Sequence, residues 1–293
     1  MKLYKNFTIG AVLTSTVAIT LFSPSAIAFT ITSNDDTALL LNALLGTTYG
    51  LSNFSMTLDG NSQASGLFNN DPFGLGSGIV MSTGKVSNIP GENKTDGGIV
   101  ADLFNMPNDL SDYFIEPNIS DSVSLQISFD ADQTASKLFF QYVFGSEEFV
   151  EFGGSQYNDS FELLLNGTNL AKLSDEQTVT INNLVSDPEG PFHPDYINNP
   201  KGPDTLTKLD GFTKILTFEG LLLQNSRNTL TIDIKDVGDG YLDSAVFLKG
   251  GSLGTVLPPD LEKVPEPGLA IASCLVGGLI LRQGRKSSNR SRD

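Results

Sequence analysis

Two acidic stretches hold side chains whose types and spacing could do chemistry. "YVFGSEEFVEFGGSQYNDSFELLLNG" (142–167) places Glu147, Glu148, Glu151, Asp159 and Glu162 among apolar residues and glycines. "TIDIKDVGDGYLDSAVFL" (231–248) adds Asp233, Asp236, Asp239 and Asp243. In a strand successive side chains alternate between faces. Asp159 therefore shares a face with Phe161, Leu163 and Leu165, while Glu162 points to solvent. The same parity carries Asp236 inward after Ile232 and Ile234, and leads Asp243 into Ala245 and Phe247. Charge placed at the end of an apolar stripe is costly unless something compensates it. Calcium takes six to eight oxygens, carboxylates foremost, on glycine-relaxed loops. The metal set expected from this reasoning is Glu147, Glu148, Asp159, Asp236, Asp239 and Asp243, gathered wholly or partly around Ca2+. "DVGDGYLD" lacks the spacing and closing Glu of an EF-hand loop. The alternative is that Glu147 and Glu148 cap turns, and that Asp236 and Asp243 accept backbone hydrogen bonds in tight turns.

The same acids admit an enzymatic alternative, an extracellular polysaccharide hydrolase. Glu147 with Asp159 or Asp243 would be its acid–base pair. The absence of tryptophan weighs against sugar stacking in such an enzyme. His193 is the only histidine, which removes a His-based triad or zinc cluster from consideration. Its setting, "GPFHPD", reads as a surface loop. "GLGSGIVMSTG" lacks the lysine of a phosphate loop and reads as a turn entering a strand.

The elements that must position these acids are mostly strands. Alternating runs occur at 51–58, 78–82, 123–129, 138–144, 159–166, 178–185, 214–218, 229–234 and 245–249, separated by turn-rich segments. The expected fold is mainly β, an antiparallel β-sandwich of jelly-roll type. One N-terminal helix, within "SNDDTALLLNALLG", should pack on it through Leu39, Leu40, Ala43 and Leu44. Ser33 or Asn34 can cap that helix and Gly46 can close it. "IVADLFNMPNDLSDYF" (99–114) could add a short helix, and 187–205 is a long polar loop. The expected divisions are 1–28, a signal peptide; 29–252, the sandwich; 253–263, a linker; and 264–293, a sorting signal.

The ends carry export chemistry. Lys2 and Lys5 precede an apolar run and "AIA", with cleavage expected after Ala28 and with Ala26 at the other small-residue position. At the far end an apolar run from Gly268 to Leu281 precedes a basic tail. At 1.5 Å per residue it makes roughly 21 Å of helix, short for a permanent span. The body between holds 11 basic and 33 acidic residues, a formal charge of −22. Nucleic acid is excluded as a partner on that balance, since phosphate contacts need clustered Lys and Arg. The only cysteine, Cys274, lies in the C-terminal apolar run, so no disulfide can staple the chain.

Two resemblances follow from these residues. Val264-Pro265-Glu266-Pro267, the short apolar helix and the basic tail resemble a PEP-CTERM sorting signal. That resemblance implies signal peptidase and exosortase as export partners, transient C-terminal membrane anchoring, and delivery to the cell surface or exterior. "FQYVFGSEEFVEFGGSQYNDSFELLLNG", with segments 65–84, 196–199, 209–216 and 236–252, resembles the choice-of-anchor L domain. Phe149 and Lys235 depart from the family's commoner residues. The resemblance implies an extracellular β-rich module and no settled activity. The expected function is a non-enzymatic binding or structural module, calcium-stabilised, for adhesion or association with extracellular polysaccharide.

Overall fold

The computed structural model describes residues 28–94, 122–237 and 242–257. The leader with Ala26, the candidate helix within 99–114, Asp239, and the sorting motif with its apolar run all lie outside them.

The chain builds β1 (Thr30–Ser33), α1 (Thr37–Leu44), β2 (Leu51–Asp59), β3 (Ser65–Asn69) and β4 (Ser77–Ser82). Then follow β5 (Ser122–Ala131), β6 (Lys137–Ser146), β7 (Ser160–Leu165), β8 (Thr168–Asn169) and α2 (Ile181–Leu184). Finally come β9 (Tyr196–Asn198), β10 (Gly211–Thr213), β11 (Leu216–Leu221), β12 (Ser226–Lys235) and β13 (Ser244–Lys249). Among the described residues these strands make two antiparallel sheets. One runs β1-β3-β4-β13-β6-β10-β9, with β11 also paired to β6; the other runs β2-β5-β12-β7-β8. The architecture is the expected β-sandwich.

Alternation explains the second sheet. Val123, Leu125, Ile127 and Phe129 of β5, Leu230, Ile232 and Ile234 of β12, and Phe161, Leu163 and Leu165 of β7 are all buried. Their polar neighbours form the outer face. β6 is different, because "LFFQYVFGS" is buried throughout. Phe140, Tyr142 and Phe144 face the second sheet, and Phe140 stacks on Phe218 with ring centroids 4.5 Å apart. Val143 faces the other way, into a smaller core with Phe247, Phe68 and Phe212. The run expected to alternate at 138–144 is thus covered on both faces, and it anchors the acidic site at its end.

Three expectations need correction. Residues 178–185 are not a strand. Thr180 caps α2 by accepting from the Asn183 amide, and Asn183 Nδ2 returns to the Thr178 carbonyl at 2.9 Å. Local side-chain bonds of this kind compete successfully with a ladder. Helix α1 is capped by Asp36, whose Oδ1 accepts from the amides of Ala38 and Leu39; Leu40 and Leu44 are buried and Leu39 is exposed. The body also continues past 252. Leu253 is buried, and Phe139 and Gly254 exchange backbone bonds at 2.8 and 3.0 Å, so the segment expected to begin a linker is still part of the fold.

Candidate functional site: an acidic rim joining the two sheets

β4, β13 and β6 are neighbours, and their ends share one rim. Ser82 pairs with Ala245, and Ser244 pairs with Ser146. Glu147 and Glu148 leave the end of β6, Asp243 enters β13, and Thr83 and Gly84 leave β4. The second sheet reaches the same rim where β12 ends at Lys235 opposite Ser160, the first residue of β7. Asp236 and Asp159 flank that pair.

A connected set of hydrogen bonds ties these ends together. The Glu147 and Asp243 main chains meet through Glu147 N–H to the Asp243 carbonyl at 3.0 Å. The Asp243 amide donates back to Glu147 Oε2 at 3.1 Å. Asp159 spans the sheets: Oδ1 accepts from the Val237 amide at 2.9 Å, and Oδ2 accepts from the Ser244 hydroxyl at 2.7 Å. Ser244 Oγ lies 2.9 Å from Ser146 Oγ, which accepts from the Glu148 amide. Thr83 Oγ1 takes the Ser244 amide at 3.0 Å and donates to Asp243 Oδ1 at 3.2 Å. Ser82 Oγ donates to the Ser244 carbonyl and accepts from the Gly84 amide.

Glu147, Glu148, Asp159, Asp236 and Asp243 are therefore brought to one rim, from residues nearly a hundred positions apart, and each is at most 4% exposed. Glu151 is carried away from it, toward Asp210. Glu162 stands on the outer face opposite Asp233, as parity required. Glu147 accepts a main-chain hydrogen bond, the kind of contact the turn-capping alternative gave it, and Asp159, which that alternative did not include, accepts another. Among the described residues no three His, Cys, Asp or Glu side chains form a ready-made metal-holding group.

Sequence reasoning missed Ser82, Thr83, Gly84, Ser146 and Ser244. The "STG" at 82–84 was visible only as the end of a strand. Gly84 is required sterically: a Cβ there would lie 2.1 Å from Asp243 Oδ2 and 2.4 Å from its Cγ. Gly84→Ala is expected to destabilise by about 2–3 kcal/mol, the scale of overpacking a filled interior. Denaturant melts check this, and a change below 0.5 kcal/mol would mean the Asp243 carboxylate is loosely held.

The loop around His193 is at the surface, with Pro191, Phe192 and Pro194 exposed, but the His193 side chain turns inward. Its side chain is 8% exposed, with Nε2 3.4 Å from Asp175 Oδ1 and Nδ1 3.7 Å from Asp195 Oδ2. Nδ1 accepts from the Asp195 amide at 3.1 Å. It is a structural pin for the 187–205 loop.

A β-sandwich whose two sheets are joined by a buried acidic rim defines a mainly β module. The chain belongs to the choice-of-anchor L domain family, which matches residues 29–254. That membership marks it as a surface-associated extracellular module, at the cell surface or outside the cell. No curated protein and no solved structure matches the chain. Among the described residues no helix is long and apolar enough to cross a membrane.

Proposed function

We propose that the protein is a non-enzymatic extracellular binding module whose rim is braced by calcium and which associates with extracellular polysaccharide or with other surfaces. One observation supports it above the others: five buried carboxylates, from four chain segments and both sheets, are delivered to a single rim. Burying several like charges together is expensive. A divalent cation offsets that cost best where the donors are hard oxygens, and here carboxylates, the Thr83 hydroxyl and main-chain carbonyls supply them. Glu147, Glu148, Asp159, Asp236 and Asp243 would hold the ion, with Asp239 next in the chain between the last two. Calcium would supply positive charge and cross-linking of loop ends, with no reaction step.

The hydrolase alternative fits poorly. Glu147 and Asp159 are 4% and 1% exposed, and Asp243 is 1% exposed, so a glycosidic bond cannot reach them. Export through an N-terminal leader, with exosortase processing at Val264–Pro267, completes the proposal.

Thermal unfolding of the purified full chain tests the metal. Millimolar calcium in place of chelator should raise Tm by several degrees, since saturation at a hundred times Kd contributes about 2.7 kcal/mol. Identical melts with and without chelator, and no heat on calorimetric titration, would remove calcium from the proposal.

A further inference from the structure

At the pole opposite the rim β6 and β12 begin and β5 ends, Ser226 lying across from Ala131 and Leu221 of β11 across from Lys137. Three turns and the segment after β13 are bonded together there. The Asp132 amide donates to the Gly50 carbonyl at 2.9 Å, and the Leu222 amide to the Ser136 carbonyl at 3.0 Å. Gln224 Nε2 donates to the Gln133 carbonyl at 2.8 Å, and Thr255 Oγ1 to the Tyr49 carbonyl at 3.0 Å. This end leaves Tyr49, Leu221, Leu223, Val256 and Leu257 between 41% and 73% exposed, half of the large apolar side chains that the described residues leave open. Charge is nearly balanced among their neighbours. Lys137 pairs with Glu219 and Arg227 with Asp130, which leaves Asp132 as the surplus acid in a body of −22.

We propose that this pole rests on a lipid bilayer, its five apolar side chains entering the interfacial layer while the acidic rim faces away. Where the chain goes next argues for that occupant. Leu257, the last described residue, lies in the patch, and ten residues (258–267) then lead to the apolar run Gly268–Leu281. Ten residues span at most about 33–36 Å, so a run embedded in a bilayer holds this pole close to its surface. The inference rests on the export reading above, in which that run meets the membrane before it is processed. The run is short for a permanent span, and stable attachment of a weakly anchored chain takes a second membrane signal. Clustered exposed apolar groups mark a contact surface, and tyrosine suits the water–lipid boundary. The near balance of charge avoids repulsion by anionic headgroups. A second copy fits less well, because two bodies of −22 repel one another.

Fluorescence tests this, because the chain has no tryptophan of its own. The chain from Phe29 to Asp293 carrying Tyr49→Trp is mixed with phosphatidylcholine vesicles, with and without brominated acyl chains. Leu206→Trp is the control, at an exposed position in a loop that reaches the rim end of β6 through the Asp210 amide and the Ser146 carbonyl. On adding vesicles the Tyr49→Trp emission should shift to the blue and be quenched by the brominated lipid, while that of Leu206→Trp should do neither. Leu221→Ser, Leu223→Ser, Val256→Ser and Leu257→Ser combined should keep the parent's melt and abolish the shift. They should also lower vesicle partitioning at least about tenfold, the scale of losing one leucine from an apolar environment. Vesicle binding with the Tyr49→Trp indole still in water, or a shift undiminished in the serine variant, would overturn the pole's contact and leave membrane engagement by the C-terminal run standing. No vesicle binding at all would overturn that engagement and this inference with it. A blue shift without lipid that grows with protein concentration would overturn the bilayer in favour of a second copy.

Discussion

Asp159→Ala is expected to destabilise the protein by about 3–5 kcal/mol, the largest effect of any single rim substitution. Its carboxylate accepts from the Val237 amide of one sheet and the Ser244 hydroxyl of the other. Hydrogen bonds to a charged group contribute about 1.5–3 kcal/mol each, and their loss leaves the part-buried Val237 amide without this acceptor and the buried Ser244 hydroxyl with Ser146 Oγ alone. The truncation also leaves a void at a site that is 1% exposed. Against a total stability of about 5–15 kcal/mol this is a large fraction. Urea denaturation measures it, with Glu162→Ala on the outer face as the control at near zero. Asp159→Asn should fall between, because the amide oxygen keeps one of the two acceptor roles. If Asp159→Ala lost less than 1 kcal/mol, the bridge between the sheets would not be a principal tie of this end of the sandwich.

Alkaline pH should unfold the protein steeply. Burial raises the phenol of Tyr142 far above its ordinary value, with the Asp195 charge adding to it. Burial likewise raises that of Tyr196. Below pH 10 both folded and unfolded chains hold these protons, and the contribution to stability is complete. Above pH 10 the unfolded chain releases them while the folded chain does not, so stability falls by about 1.4 kcal/mol per pH unit for each tyrosine until the raised values are reached. Tyr142→Phe should change stability little at pH 7, since the hydroxyl's bond to the Lys172 carbonyl is long at 3.4 Å. At pH 11.5 the variant should be about 2 kcal/mol more stable than the parent. Denaturant midpoints at pH 8, 10, 11 and 11.5 give the comparison, and parallel profiles for the two proteins would contradict it. Lysines titrate in the same range, but they are common to both proteins and cancel in the difference.

Much of the frame is legible in residue order, for a physical reason. A strand with one wet face must alternate, and β5, β7 and β12 do so strictly. The parity that buried Ile232 and Ile234 also sent Asp236 inward, and the parity of Phe161 and Leu163 did the same for Asp159. Shorter strands such as β1, β9 and β10 were not legible. Three or four residues carry too little pattern, and their pairing depends on partners such as Ser146 and Asn69 that are remote in the chain. Residues 178–185 misled because Thr and Val favour strands, while the Thr180 and Asn183 side chains close a helical turn once the chain reverses there.

For the site, the sequence determined which acids turn inward and that they sit at strand ends, because both facts follow from local alternation. It also carries the family's signature stretch. Only the tertiary structure decided that Glu147 lies against Asp243, that Asp159 bonds across both sheets, and that Glu151 departs to a different cleft. It alone supplied Thr83, Gly84, Ser146 and Ser244. Hydroxyls and glycines have no periodicity of their own, and the register that aligns Ser244 with Ser146 is fixed by packing of β13 between β4 and β6, contacts that no local window of residues contains.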